Sequence, residues 1–553
     1  MSTKYENYIA EEPNQIFRSQ VSRLKASMSP ESQIELTDRI DTNLKFGTAG
    51  LRGKMEGGYN RMNLVTVYRC AHSLASSLAA ANNPRVVIGF DARLNSHDFA
   101  QEAAQVLSRL GVRVDIFAVC VPTPLCAYAT KYLAAHAGMM ITASHNPGYD
   151  NGIKLFDSSG AQAGHGWSLA IEHGMIKAPR RCDFLGNETK QLINHIKPEL
   201  IDAYFQEIGQ AYLFEQADLD KDLSIVYTPL HGVGRDFFVR ALKSQGFNNI
   251  HVVQDQAEPD GSFPTVIFPN PEEQHALDRA HQEARNLSID WVFANDPDAD
   301  RLQLSCYDQA DFKKLSGNEM GVILGYFVID AAIRKGQKPL VASSIVSSRM
   351  LEAMATQLGA HYIDALTGFA NIAENAIKAE QRLGCPLVFA YEEAIGFLVG
   401  KTILDKDGIN TGLRFMEIAC YLSKQQKTIW QFLDELYLRF GVFMSDQWSW
   451  RMSEVADIMT KLRSLTTAEL TQMFGRSGWR IYDLAHKQKA DVIIFEIKNQ
   501  ARFIVRPSGT EPKIKFYFEL MDHADNLLLL NRKKIELKAL VSKHRQAIEK
   551  FLT

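Results

Sequence analysis

Three carboxylates alternate with small or rigid residues in Asp296-Pro297-Asp298-Ala299-Asp300, and Arg301 follows. In a curled loop these side chains can converge on one hard cation. Oxygen-only ligation suits Mg2+ or Ca2+ and disfavours zinc. A calcium hand needs Gly at the sixth position and Glu at the twelfth; Arg301 and Tyr307 stand there, so that motif fails. The competing reading is a solvated acidic turn. Like charges this close repel unless something positive sits among them, which favours the metal. An incomplete protein shell leaves the cation free to bind a phosphate oxygen, and Arg301 can reach the same phosphate.

A second reactive group stands in Ile141-Thr142-Ala143-Ser144-His145-Asn146-Pro147-Gly148. The apolar run from Ala137 to Ile141 predicts a strand, and Asn-Pro-Gly turns the chain away from its end. Ser144 is thereby presented at a strand tip beside His145. G-x-S-x-G is absent and adjacency does not make a Ser–His pair, which argues against serine-hydrolase chemistry. A third group is Arg506-Pro507-Ser508-Gly509-Thr510-Glu511-Pro512. Arg506 offers a bidentate fork to phosphate, Ser508 and Thr510 offer hydroxyls, and Gly509 lets backbone N–H groups approach an anion. A Pro/Gly turn between two strands is compatible with that clamp. A Walker loop does not fit.

Weaker signals surround these. Glu392 and Glu393 in Tyr391-Glu392-Glu393-Ala394-Ile395-Gly396 sit at a strand end, where carboxylates can accept from sugar hydroxyls or simply face water. Thr367-Gly368-Phe369 has the composition of a turn. Lys154 and Lys406 are candidate proton shuttles or phosphate ligands, alongside His145. Arg52, Asp91 and Arg93 lie in loops after strand-like runs, and structural ion pairs explain the two arginines equally well.

The elements that must position these groups follow one plan. Gly138–Ile141, Trp291–Ala294, Pro386–Ala390 and Arg502–Val505 are strand-like runs, each leading into one of the loops above. Helical patterns span Leu64 to Ala81, His97 to Leu110, Phe237 to Gln245 and Ile409 to Ser423. Alternating strands and helices predict parallel α/β sheets with ligand groups at the strands' carboxyl ends. The recurrence of the plan hints at duplication. Lys190 to Phe214 is expected to be a helical connection. The last block, with a helix at Glu454–Leu465, three strand-like runs and a helix at Leu527–Leu552, has an α+β pattern. Domains are expected at 1–214, 215–325, 326–445 and 446–553.

Bulk composition narrows the class. The 553 residues allow three or four domains, and 46% hydrophobic with 23% charged residues is ordinary for a globular enzyme. Sixty-one basic against 64 acidic residues give a net charge of −3, so nothing general points to nucleic acid or an anionic membrane. Seven scattered cysteines without C-x-x-C spacing fit reduced thiols in a cytoplasmic setting. The first residues lack an apolar signal region, and no apolar run is long enough to span a bilayer.

Together the serine loop, the D-x-D-x-D-R loop, the Glu392 loop and the R-x-S-G-T loop, in that order, resemble the α-D-phosphohexomutases. The resemblance runs from Phe46 into the last domain. It implies three related α/β domains with mixed sheets plus a smaller C-terminal α+β domain around a central cleft. It implies that Ser144 carries a phosphoryl group and that Asp296, Asp298 and Asp300 hold Mg2+, which also meets the phosphoserine. By the same resemblance Glu392, Glu393, Thr367, Gly368 and Arg301 bind the sugar, and Arg506, Ser508, Gly509 and Thr510 grip the phosphate that stays. Arg52, Asp91, Arg93, His145, Lys154 and Lys406 line the reaction centre. The implied reaction is most readily phosphoglucomutase, with phosphomannomutase and phosphopentomutase as alternatives and glucose 1,6-bisphosphate as activator. A Mg2+-dependent phosphatase and a non-catalytic phosphosugar-binding protein are the readings from other classes. Small phosphosugars are the expected partners; oligomeric state is left open. Ala394 stands where many members have serine, and Ala370 follows Phe369 where the subgroup with the second phosphoglucomutase and phosphopentomutase often has lysine.

Overall fold

The computed structural model describes residues 2–184, 192–215, 219–451, 455–485, 490–507 and 513–552. Among them are four sheets, three of which share one strand pattern. In the first, Arg85–Phe90 pairs in parallel with Arg113–Ile116 on one side and Ala137–Ile141 on the other, and Asp150–Asp157 runs antiparallel beside Ala137–Ile141. In the second, Ile225–Thr228 lies parallel between Ile250–Val252 and Trp291–Asn295, and Leu302–Asp308 runs antiparallel to the latter. In the third, Leu340–Ser344 lies parallel between His361–Ala365 and Leu387–Glu392, and Gly396–Val399 returns antiparallel.

The antiparallel strand corrects the parallel sheets expected from alternation and agrees with the mixed sheets that the resemblance implies; its cause is loop length. A parallel return needs a crossover of about a dozen residues or more. Residues 142–149, 296–301 and 393–395, which join the last two strands of each pattern, are too few. They can only turn back, and these three turns hold Ser144, the aspartates and Glu393. Each turn contains one non-glycine residue in the left-handed region: Ser144 at φ 54°, Ala299 at 52° and Ile395 at 52°. The central strands are buried along their whole length, as Ala137–Ile141 and Trp291–Asn295 show, because helices cover both faces.

The fourth unit does not repeat the pattern. Val442–Arg451, Lys513–Asp522, Ala501–Pro507, Ile493–Ile497 and Arg480–Asp483 form an all-antiparallel sheet in that order, with helix Leu527–Leu552 packed on it. The duplication therefore covers three of the four strand–loop units. Among the described residues of the expected helical connection at Lys190–Phe214, the helix runs from Pro198 to Gln210, and Ile193–His195 is a strand on the edge of the first sheet. Helix Gly317–Arg334 packs on Leu387–Glu392, so an expected boundary at 325/326 falls inside a helix of the third unit. One at 445/446 falls inside strand Val442–Arg451. Three N-terminal helices, Ser2–Glu11, Gln15–Ala26 and Pro30–Asp41, bury Tyr8, Val21, Leu36 and Ile40 against Tyr59 and Val65.

Candidate active site

Ser144 is fully buried and its strained backbone is held from several sides. Its N–H donates to Thr142 Oγ1 at 2.8 Å, and Arg93 Nη2 donates to its carbonyl at 2.6 Å. The same guanidinium donates to the carbonyl of Pro147 at 2.7 Å, of Asp150 at 3.0 Å and of Asn146. Asp91 accepts from Ser96 Oγ at 2.7 Å and from the Arg93 N–H at 3.0 Å, and its other oxygen faces Arg93 Nε at 3.5 Å. Phe263, from the second unit, lies against the Arg93 guanidinium at 5.0 Å. Arg93 and Asp91 are thus spent on shaping the serine turn. Arg52 differs: it donates to Asn146 Oδ1 at 2.9 Å, and burial, with Arg301 nearby, pushes its pKa down to about 10.

The Ser144 hydroxyl donates to Asp296 Oδ2 at 2.8 Å and stands 3.2 Å from His145 Nδ1. This contact joins the first and second turns. Desolvation, then Arg301 and Arg52, hold the His145 pKa well below the usual imidazole value, so the ring is neutral near pH 7. Asp296 Oδ1 accepts from the Arg301 N–H at 3.2 Å. Lys154 Nζ donates to Asp298 Oδ2 and to Asp300 Oδ2, each at 2.6 Å. Burial lowers the lysine pKa, but Asp298 and Asp300 together raise it by more, and it stays an ammonium. Burial pushes Asp300 up, yet Lys154, Lys406 and Arg301 hold it well below the usual carboxylate range.

The aspartate set fits a hard cation. One carboxylate oxygen from each of the three lies within 4.8 Å of the others, and all three residues are buried. Asp298 Oδ1 and Asp300 Oδ1 are buried without a hydrogen-bond partner, a costly state that a bound cation relieves.

The third unit closes the cluster, through the loop that follows Gly396–Val399. Lys406 Nζ lies 3.0 Å from Asp405 Oδ1 and 3.5 Å from Asp300 Oδ2, above the Phe369 ring at 5.2 Å. Burial opposes its charge, but Asp300, Asp405 and Glu392 raise its pKa. Its stem crosses Gly396, where an added Cβ would lie 2.3 Å from Lys406 Cδ. Any side chain there displaces the lysine. Glu392 is half-buried between Lys406 and Arg301, and burial raises its pKa against their pull. Thr367 and Gly368 lie in the neighbouring loop; Gly368 has φ 100° and its missing side chain would face Thr48 of the first unit.

Glu393 is placed otherwise than its neighbour. Its Oε2 accepts from Ser344 Oγ at 2.9 Å and Ser347 Oγ at 3.4 Å, so the carboxylate ties the turn to its own sheet. Replacing Glu393 by Gln is expected to raise the KM for sugar phosphate less than about tenfold, the scale of one charge-assisted hydrogen bond, with kcat nearly unchanged. Steady-state kinetics on Glu393→Gln and Glu392→Gln side by side check this: the Glu392 change should do more.

Of the expected phosphate clamp, Arg506 is half-buried at the end of Ala501–Pro507, its Nε 3.4 Å from Tyr517 Oη and its register partner Lys515. Ser508, Gly509 and Thr510 lie outside the described residues. The sequence signals do not single out Asp405, although it precedes Lys406 directly, or Glu272, 3.8 Å from Arg301. Nor do they single out Thr123, which meets Asp298 across 175 residues; no local pattern signals such a pairing.

Four family profiles match in this order: phosphoglucomutase/phosphomannomutase alpha/beta/alpha domain I at residues 43–180, domain II at 202–309, domain III at 316–440 and the C-terminal domain at 453–528. The chain belongs to the phosphoglucomutase/phosphomannomutase family. It is accordingly an enzyme of the phosphotransferase/isomerase type. A probable phosphomannomutase of Haemophilus influenzae is 37% identical, over 83% of this chain and 93% of the relative. The phosphopentomutase of Homo sapiens is 30% identical over 96% and 92%. A phosphoglucomutase of Staphylococcus aureus is 32% identical over 91% and 94%. Among solved structures, a putative phosphomannomutase from Thermus thermophilus superposes with TM-score 0.68 at 20% identity, covering 92% of this chain and 99% of that one; at that identity the likeness concerns the fold of the family. No helix among the described residues is long and apolar enough to cross a membrane.

Proposed function

We propose that this enzyme interconverts glucose 1-phosphate and glucose 6-phosphate through a phosphoserine at Ser144. The observation that carries the reading is the Ser144 hydroxyl bonded to Asp296 at the rim of a buried acidic set, with Arg52, Arg301, Lys154 and Lys406 around it. Cations so disposed suit a phosphoryl group, whose transfer is governed by positioning and charge neutralisation. In the first half-reaction the P–O bond to Ser144 breaks as a P–O bond to the sugar's free hydroxyl forms. The sugar hydroxyl gives up its proton, the released serine oxygen takes one, and the 1,6-bisphosphate is held. After it turns over, the P–O bond between the sugar and the other phosphate breaks as a P–O bond to Ser144 forms; the serine hydroxyl gives up its proton and the sugar oxygen takes one.

Asp296, Asp298 and Asp300 are the residues to hold Mg2+, which when bound supplies charge neutralisation at the transferring phosphate. Neutral His145, at the serine hydroxyl, is suited to accept a proton, and the ammonium of Lys154 to donate one. Glu392 is placed to accept from ring hydroxyls, and Arg506 to grip the phosphate that stays. A simple hydrolase has no evident use for that second grip, which argues against a phosphatase.

A second reading, transfer on pentose phosphates, is favoured by Ala394, which removes a hydroxyl from the sugar loop, and by relatives named phosphopentomutase that span 88–96% of the chain. A panel of coupled assays on glucose, mannose and ribose 1-phosphates, with and without glucose 1,6-bisphosphate, tests both. The highest kcat/KM on glucose 1-phosphate supports the first reading and on ribose 1-phosphate the second. Stoichiometric release of free phosphate would overturn mutase action altogether.

A further inference from the structure

Thr123 opens helix Thr123–Tyr132 in the first unit and is fully buried. It meets the metal loop of the second unit twice. Its backbone N–H donates to the Asp298 carbonyl at 2.9 Å, and its hydroxyl donates to Asp298 Oδ2 at 2.5 Å. Lys154 Nζ donates to that same oxygen at 2.6 Å. Oδ2 therefore has two donors, while Oδ1 of the same carboxylate is buried with none. The backbone pair alone would join the two units. The hydroxyl does something else: together with Lys154 it occupies Oδ2 of the carboxylate.

We propose that Thr123 is a positioning residue for the metal site. Its hydroxyl takes up Asp298 Oδ2 and so commits Asp298 to offer a single oxygen, Oδ1, to the cation. This rests on the reading of Asp296, Asp298 and Asp300 as that site. Outer partners that orient a ligating carboxylate are commonly worth about 10–100-fold in metal affinity. Without the hydroxyl, Oδ2 keeps one donor, the Lys154 ammonium that it shares with Asp300, and the carboxylate is freer to rotate and to offer both oxygens, which suits a smaller octahedral ion poorly. No covalent step is involved.

The test is titration of the metal-stripped full chain with Mn2+, followed by loss of the free-ion electron paramagnetic resonance signal, with Mg2+ as competitor. Thr123→Val is expected to weaken binding about tenfold or more, and Thr123→Ser, which keeps the hydroxyl, to stay near the wild-type value. In turnover assays the Mg2+ concentration for half-maximal rate should rise in Thr123→Val while the sugar-phosphate KM holds; a merely structural role would not separate the two. Thr123→Ala removes the hydroxyl without placing a second methyl at the loop and replaces the valine variant if that one melts early without metal. Asp298→Asn is the reference. If it binds Mn2+ as tightly as wild type, the metal reading itself fails. If it loses affinity while Thr123→Val and Thr123→Ala keep theirs, or if Thr123→Ser loses as much as they do, the role given to the Thr123 hydroxyl is overturned.

Discussion

Ser144→Ala is expected to abolish phosphosugar interconversion, with turnover falling roughly 10⁴-fold or more, the scale of deleting a covalent nucleophile. The variant lacks the oxygen proposed to carry the phosphoryl group, and no neighbouring side chain has the same place. Asp296 and His145 both touch the hydroxyl but are turned toward it, not toward an open substrate position that the serine leaves. The fold should survive. The loss leaves Asp296 Oδ2 short of one donor, a cost of about 1–3 kcal/mol, and the turn is still held through backbone atoms by Arg93. Two measurements check this. The coupled assay reads turnover, and peptide mass spectrometry after incubation with glucose 1,6-bisphosphate reads a phosphoryl group on the peptide holding Ser144. Retained interconversion in Ser144→Ala, or a phosphoryl group found elsewhere in the wild type, would sink the phosphoserine.

The three turns were legible because each follows an apolar run that ends abruptly. Ala137–Ile141 stops at Thr142, and Asn146-Pro147-Gly148 cannot extend it. The aspartates were legible because alternate carboxylates in a short turn have little else to do. What local pattern could not show is how the three turns face one another. Lys154 reaches aspartates 144 and 146 residues away, and whether it would meet them or water depends on the packing of one unit on the next. The same blindness hid the difference between Glu392 and Glu393. Adjacent residues at a strand end point to opposite sides, so one turns to Lys406 and Arg301 while the other turns back to Ser344 and Ser347. Arg93 was legible as an arginine near the serine, but not as one whose donors are already used by loop carbonyls. Fold class followed from the alternation of strands and helices. The antiparallel return in each sheet was implicit in the short loops, and composition alone does not weigh loop length against strand direction.

Lys154→Met should have the second-largest effect, and on two quantities with one cause. The ammonium is almost wholly buried and bridges Asp298 and Asp300 at 2.6 Å each. Methionine keeps the stem and removes the charge. Without the ammonium as proton donor and neutraliser, kcat should fall about 10²–10⁴-fold, with a much smaller change in KM. Stability should fall too, by about 3–5 kcal/mol without metal, because buried carboxylates lose their partner. The pH dependence gives the sign. In the wild type Lys154 helps hold Asp300 below its unfolded pKa, so the stabilisation from Asp300 is present above the unfolded value and is lost only as pH falls through the lower folded one. In Lys154→Met, burial pushes Asp300 up without the ammonium to oppose it, and Asp296, already raised by burial and by its neighbouring aspartates, rises further. The folded state then binds more protons than the unfolded one, and its stability drops as pH rises. Calorimetric melting in a chelator should therefore show a gap between wild type and variant that is wider at pH 8 than at pH 5.5. Added Mg2+ should narrow it at pH 8 by replacing the lost positive charge. A gap equal at both pH values would mean that Lys154 is not the counter-charge of the acidic set.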